Sequence, residues 1–227
     1  MSVTDAVPVR GTSVPTMTSG ADVFVVVAAR TCHEAAGADP LGGLAHRLGS
    51  VRRTADGALV LPAEDKPHGV RRCGEAFAML PDRVRSGTWL GVAWSGRDVA
   101  SAEEEARHVA ALALFTGKAA GVHRVEDVLV EYAAARNPAV AHRLSAMAGR
   151  LVGDLTLHAT LRAVISADGD LARASADLGV DRGVLDHRLR RIEQLSGHRP
   201  TNPRGLGLLA TALAVRETLT GYGITRR

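Results

Sequence analysis

Between positions 182 and 191 the chain carries four arginines, an aspartate and a histidine: Arg182, Asp186, His187, Arg188, Arg190 and Arg191. An arginine fork matches guanine O6 and N7, and a carboxylate can accept from a cytosine amino group. Arginines set further back bond phosphate oxygens, which positions a protein on a duplex without reading its sequence. This chemistry requires one helix face to be turned outward. The apolar residues Leu185, Leu189 and Ile192 supply the opposite, inward seam. Arg182, Gly183, Asp186, His187 and Arg190 then point away from that seam, with Arg173, Arg188 and Arg191 placed for phosphates.

The elements that must hold this face are written just upstream. Asp170–Leu189 has the anatomy of two short helices crossing at a tight turn. Ala174 and Ser175 are small where the second helix must lie, and Leu171, Leu178, Val180, Leu185 and Leu189 form a shared core. Gly179 falls where the turn needs a left-handed backbone, which a residue without Cβ adopts freely. Asp181 is an N-cap for the second helix. In a helix-turn-helix the outward N-terminal face of that helix enters the major groove.

Pairs of small amphipathic helices joined by Gly also occur in proteins that bind no DNA, and charge does not separate the two cases. From Asp154 to Arg199 there are seven Arg and seven acidic residues, whereas Arg182–Leu195 alone carries four Arg, one Asp and one Glu, a net +2. The whole chain, at +4 formal charge, permits a nucleic-acid partner without requiring one.

Other chemistry finds less support. Cys32-His33-Glu34 collects three ligand types, but adjacent residues do not converge on one metal. His46, His68, His108, His123, His142 and His158 stand at no ligand spacing. The stretches 37–43 and 117–121 are Gly-rich but lack a phosphate-cradling motif. Glu103-Glu104-Glu105 reads as a solvated first helical turn. No metal and no cofactor are expected.

Composition frames the rest. Of 227 residues, 46% are hydrophobic and 23% charged, which excludes a disordered chain. The apolar run Val23–Ala29 is far shorter than the roughly 20 residues a membrane helix needs. Aromatics are only 3%, which disfavours base stacking on aromatic platforms. The 28 basic residues include just two lysines, Lys66 and Lys118, as codon bias in a GC-rich genome would give. Two cysteines form no disulfide framework. Residues 1–21 lack a secretory pattern, so a disordered lead-in and a cytoplasmic location with reduced thiols are expected.

Along the chain, strands are expected at Val23–Ala29 (covered on both faces), Gly57–Pro62 and Thr88–Trp94. Helices are expected after Asp39-Pro40, around Val70–Leu80 and after a Ser101/Glu104 capping box. Trp89 and Trp94 fall on opposite strand faces by parity. From Arg124 onward no strand is found. Helical spacing runs over Val125–Arg136, Pro138–Leu151, Leu155–Ser166, Leu171–Leu178, Arg182–Leu195 and Pro203–Thr220. The fold class is α+β: a layered α/β half (22–135), a helical connector (136–153) and an all-α half (154–221).

The second half is similar to a known family. Leu157–Arg162, Gly169-Asp170-Leu171, Leu178-Gly179-Val180 and above all Arg188-Leu189-Arg190-Arg191-Ile192-Glu193-Gln194-Leu195-Ser196-Gly197 resemble the C-terminal helix-turn-helix of PucR/CdaR bacterial transcriptional regulators. Asn202-Pro203 and the helix after it resemble the closing helix of that module. Gly91–Gly96, the helix after Ser101 and Val125–Val128 resemble the family's GGDEF-like domain. A Gly-Gly-Asp/Glu-Glu-Phe hairpin is absent, so no cyclase or other enzyme activity is expected.

The resemblance implies a dimeric regulator that binds double-stranded DNA, with a GGDEF-like sensing or dimerisation domain and room for a small-molecule effector of unassigned chemistry. The residues it places at DNA are Arg173, Asp181, Arg182, Gly183, Asp186, His187, Arg188, Arg190 and Arg191. The chain departs from the family where Gly183 replaces an Asn-type base reader and Asp186 replaces a basic residue. Those departures support a rival reading, an interaction adaptor whose helix no longer reads DNA.

Overall fold

The computed structural model describes residues 23–31, 39–49, 51–96 and 98–221. The segment 1–21 and Cys32-His33-Glu34, given readings above, lie outside the described residues. Strand β1 (Val23–Thr31) is the centre of a five-stranded sheet ordered β2-β3-β1-β4-β5. Its neighbours β3 (Leu59–Ala63) and β4 (Thr88–Ser95) both run antiparallel to it. Two short edge strands complete the sheet: β2 (Arg52–Arg53), antiparallel to β3, and β5 (Gly121–His123), parallel to β4.

The β-branched run of β1 is covered on both faces, as its unbroken apolarity implies. Val25 and Val27 face α1 (Pro40–Leu48) and α2 (Lys66–Ala78) in a core with Leu44, Leu61, Phe77, Leu90 and Val92. Val26 and Ala28 face the other way, toward Ala102 and Ala106 of α4 (Val99–Phe115). Gly91 explains how closely α4 lies on β4: a Cβ there would fall 1.8 Å from the Ala106 carbonyl oxygen. Trp94 packs into the first core and Trp89 against the α4 side, so the two indoles occupy opposite faces. Cys73 is buried in the first core, and desolvation pushes its thiol up to about 12.

Several local expectations need correction. Helix α4 is capped by Asp98, whose side chain accepts from the Ser101 amide at 3.1 Å, so Ser101 lies inside the helix. Both residues are cap formers three positions apart, and the earlier one wins. Glu103 is not part of a solvated turn. It is 6% exposed, accepts from Thr54 Oγ1 at 2.8 Å and pairs with Arg107. Helix α2 opens at Lys66 behind the Asp65 cap, four residues earlier than its apolar spacing suggests. A single turn, α3 (Asp82–Arg85), follows it.

Beyond β5 every described element is helical. A 3-10 turn (Val125–Val128) leads into α5 (Leu129–Arg136), α6 (Pro138–Val152), α7 (Leu155–Ser166), α8 (Leu171–Leu178), α9 (Arg182–Ser196) and α10 (Pro203–Gly221). Helix α10 has neighbours on three sides. Leu209 and Leu213 pack with α7 and α9 residues, and Ala212 and Val215 pack with Ala141, Leu144 and Ala148 of α6. Ala214 packs with Val109, Leu112 and Ala113 of α4.

Candidate nucleic-acid interface

The α8–α9 pair is built by its own caps. Asp170 accepts from the amides of Ala172 and Arg173, and Gly179 ends α8 in the left-handed region at φ 63°. Ser175 Oγ donates to the Val180 carbonyl across the turn, 2.5 Å away. Asp181 then caps α9 by accepting from the Val184 amide at 2.9 Å, and Gly197, at φ 77°, closes the helix. Ala174, Leu185, Leu189 and Ile192 are buried together with Leu157, Leu161 and Val164 of α7. The inward seam read from spacing is therefore the seam that forms.

With the seam inside, Arg182, Gly183, His187, Arg190 and Arg191 are exposed and Asp186 is half-buried. Arg182 Nε donates to Asp186 Oδ1 at 3.0 Å, one helical turn along. Arg190 Nε donates to the Asp186 carbonyl at 3.3 Å, and Arg191 Nη1 to Gln194 Oε1 at 3.3 Å. Arg173, on α8, is exposed and lies 4.0 Å from Asp177.

Two expected residues each have one polar atom engaged within the protein. The Asp181 carboxylate is committed to its cap, so it shapes the helix start. Arg188 is half-buried and leans back toward α7, its Nη1 3.5 Å from the hydroxyl of buried Thr160. Gly183 has an open outer side, but a Cβ would fall 3.2 Å from Asp181 Oδ1, close to the capping carboxylate.

Features absent from the sequence reading also line this surface. Val184 is 38% exposed on the first turn of α9, where an apolar side chain can meet a thymine methyl. Beside α9, a groove of about 420 Å³ is bordered by Asp186, Arg190, Glu193, Arg199 and Thr201. Arg199 reaches it by pairing with Glu193 at 2.9 Å. No spacing in the sequence places Arg199 there, because the Gly197 turn carries the chain back. Val184 could have been found from its position at the third residue after the cap.

Behind the interface, His158 of α7 meets Glu217 of α10 at 2.9 Å, and this bond holds the Glu217 carboxyl below the usual carboxylate range. Among the described residues no cluster of His, Cys, Asp or Glu is arranged to hold a metal ion. No described helix is long and apolar enough to cross a membrane.

Residues 157–215 match the PucR C-terminal helix-turn-helix domain. The match runs from α7 into α10 and covers about a quarter of the chain. It takes in α8 and α9 with the two helices that pack behind them. Among solved structures the chain is similar to a regulator of polyketide synthase expression from Bifidobacterium adolescentis. That similarity has 16% identity and a TM-score of 0.36, over 88% of this chain and 82% of that one. No protein of curated function matches.

Proposed function

We propose that this protein is a transcription regulator that binds double-stranded DNA sequence-specifically through α8 and α9. The observation that carries the reading is the capped, left-handed α8–α9 turn with an exposed arginine-bearing face, inside the stretch that matches the PucR helix-turn-helix. In this reading Arg182 and Arg190 reach base edges, while Arg173 and Arg191 take phosphates. Two copies act together as a dimer, placing their α9 helices in successive major grooves about 34 Å apart.

The sheet half is read as an inert GGDEF-like layer that serves sensing or dimerisation in the cytoplasm, with no catalytic role. Its one β-hairpin among the described residues turns at Asp56-Gly57 between β2 and β3, without the paired acids that metal-assisted phosphoryl chemistry requires. A cleft of about 380 Å³ is lined by Lys118 and Glu131 on one side and by Asp168, Asn202 and Leu206 on the other.

The test is fluorescence anisotropy of the purified chain against genomic fragments at two salt concentrations, beginning with its own upstream region. Selective binding that weakens with salt is expected. A broad genomic selection that yields no bound fragment would sink the reading and favour the adaptor. That second reading draws on the Arg182–Asp186 and Arg173–Asp177 pairs, which offset part of the positive charge a DNA-binding face uses.

A further inference from the structure

We infer that Asp186 is a positioning residue for base reading: its carboxylate holds Arg182 by Nε so that the guanidinium presents its two terminal nitrogens to a guanine. The inference rests on the DNA-binding reading above and goes beyond it by naming the base class read and the residue that sets the choice. An acid on the outer side of a DNA-binding helix otherwise looks like a defect, since it faces a wall of phosphates.

The geometry turns it into a part of the reader. The hydrogen bond from Arg182 to Asp186 uses Nε, at 3.0 Å, and the terminal nitrogens of Arg182 make no other hydrogen bond among the described residues. Those terminal nitrogens are the pair that engages guanine O6 and N7 together. Arg182 has a long, rotamer-rich side chain, and the bond to Asp186 biases its fork toward one plane, which the bound state then keeps. The pair is exposed, with side chains 59% and 45% accessible, so in free protein it contributes little stability. Its effect appears when the groove excludes water and the charge pair strengthens.

Arg190 provides an internal control. It is tethered through its own Nε to Asp186, but to the backbone carbonyl at 3.3 Å, a contact that no change of the Asp186 side chain removes. Replacing Asp186 should therefore alter the base read by Arg182 and leave the base read by Arg190 in place.

The experiment is a selection of bound duplexes from a randomised library, using the full chain as wild type, Asp186→Ala and Arg182→Ala, followed by anisotropy on the enriched duplex and its single-base variants. Wild type is expected to enrich a guanine that Arg182→Ala no longer requires. Asp186→Ala should lower the preference for that same guanine by about tenfold while the rest of the motif persists. Position 186 is half-buried at the helix surface, outside the apolar core, and Ala is a good helix former, so the variant should fold, which circular dichroism checks.

If Asp186→Ala keeps the wild-type guanine preference and binds every sequence more tightly, the acid merely offsets charge and the inference is overturned alone. If it loses a cytosine preference at a different position, Asp186 reads a base directly and the inference is again overturned. A wild-type pool with no enriched sequence overturns the DNA reading and this inference with it.

Discussion

Helices α9 and α10 are consecutive in sequence and contribute to one apolar core, and they use their surfaces in opposite ways. Helix α9 buries one stripe, Leu185, Leu189 and Ile192, and turns charged residues to solvent. Helix α10 has little sidedness: Leu209, Ala212, Leu213, Ala214, Val215 and Thr218 are all buried, against α4, α6, α7 and α9. Two of its charged groups are spent inward as well, Glu217 on His158 and Arg216 on the Ser145 carbonyl of α6. The contrast shows where specificity and integrity reside. A helix with a single buried stripe can change its outer residues freely, whereas a helix buried on three sides ties together whatever surrounds it.

The largest effect should come from breaking α10. Leu213→Ala removes a fully buried side chain and should cost about 2–5 kcal/mol in urea unfolding. Because α10 touches α4 as well as α7, the fluorescence of Trp89 and Trp94 should move in the same transition as the loss of helix. Two separated transitions would mean that α10 does not join the halves. On α9 the reverse separation is expected. Arg182→Ala should lose about 1–3 kcal/mol on a preferred DNA site with unfolding unchanged within about 0.5 kcal/mol. Undiminished affinity would remove Arg182 from the reader set.

Smaller effects sharpen the comparison. Asp181→Ala removes the α9 cap and should destabilise by about 1 kcal/mol, measured by thermal unfolding. The smallest effect is the acid sensitivity of α10. The Glu217 carboxyl is held low by His158, so its contribution is complete above the ordinary carboxylate range and is lost as pH falls through its folded value. His158→Ala should therefore flatten the acid limb of the stability curve. An acid limb identical in wild type and variant would show that the bond contributes nothing.

The helical half was legible in the sequence because its boundaries are chemical. Asp154, Asp170 and Asp181 each accept from an amide at the start of a helix, and Gly179 and Gly197 end helices in the left-handed region. These signals act within a few residues, so one strand of text contains them. The edge strands are different. Arg52-Arg53 and Gly121–His123 have no alternation of their own and exist because β3 and β4 offer them a ladder. Glu103 was misread for a related reason: its partner Thr54 is 49 positions away. At the candidate site the outward face followed from the Leu185–Leu189–Ile192 period. The Arg182–Asp186 bond was available from the four-residue spacing. The retreat of Arg188 toward Thr160 was not, since it depends on where α7 passes.

The order of synthesis gives α10 one more consequence. It leaves the ribosome after α4, α6, α7 and α9, the helices it holds together. Until residues 203–221 emerge, Val109 and Leu112, Ala141 and Leu144, and Leu161 and Ile192 each lack the apolar surface that α10 brings. The nascent chain therefore carries three open apolar faces at once until α10 emerges and closes them, which makes the interval before residues 203–221 appear a period of exposure to aggregation.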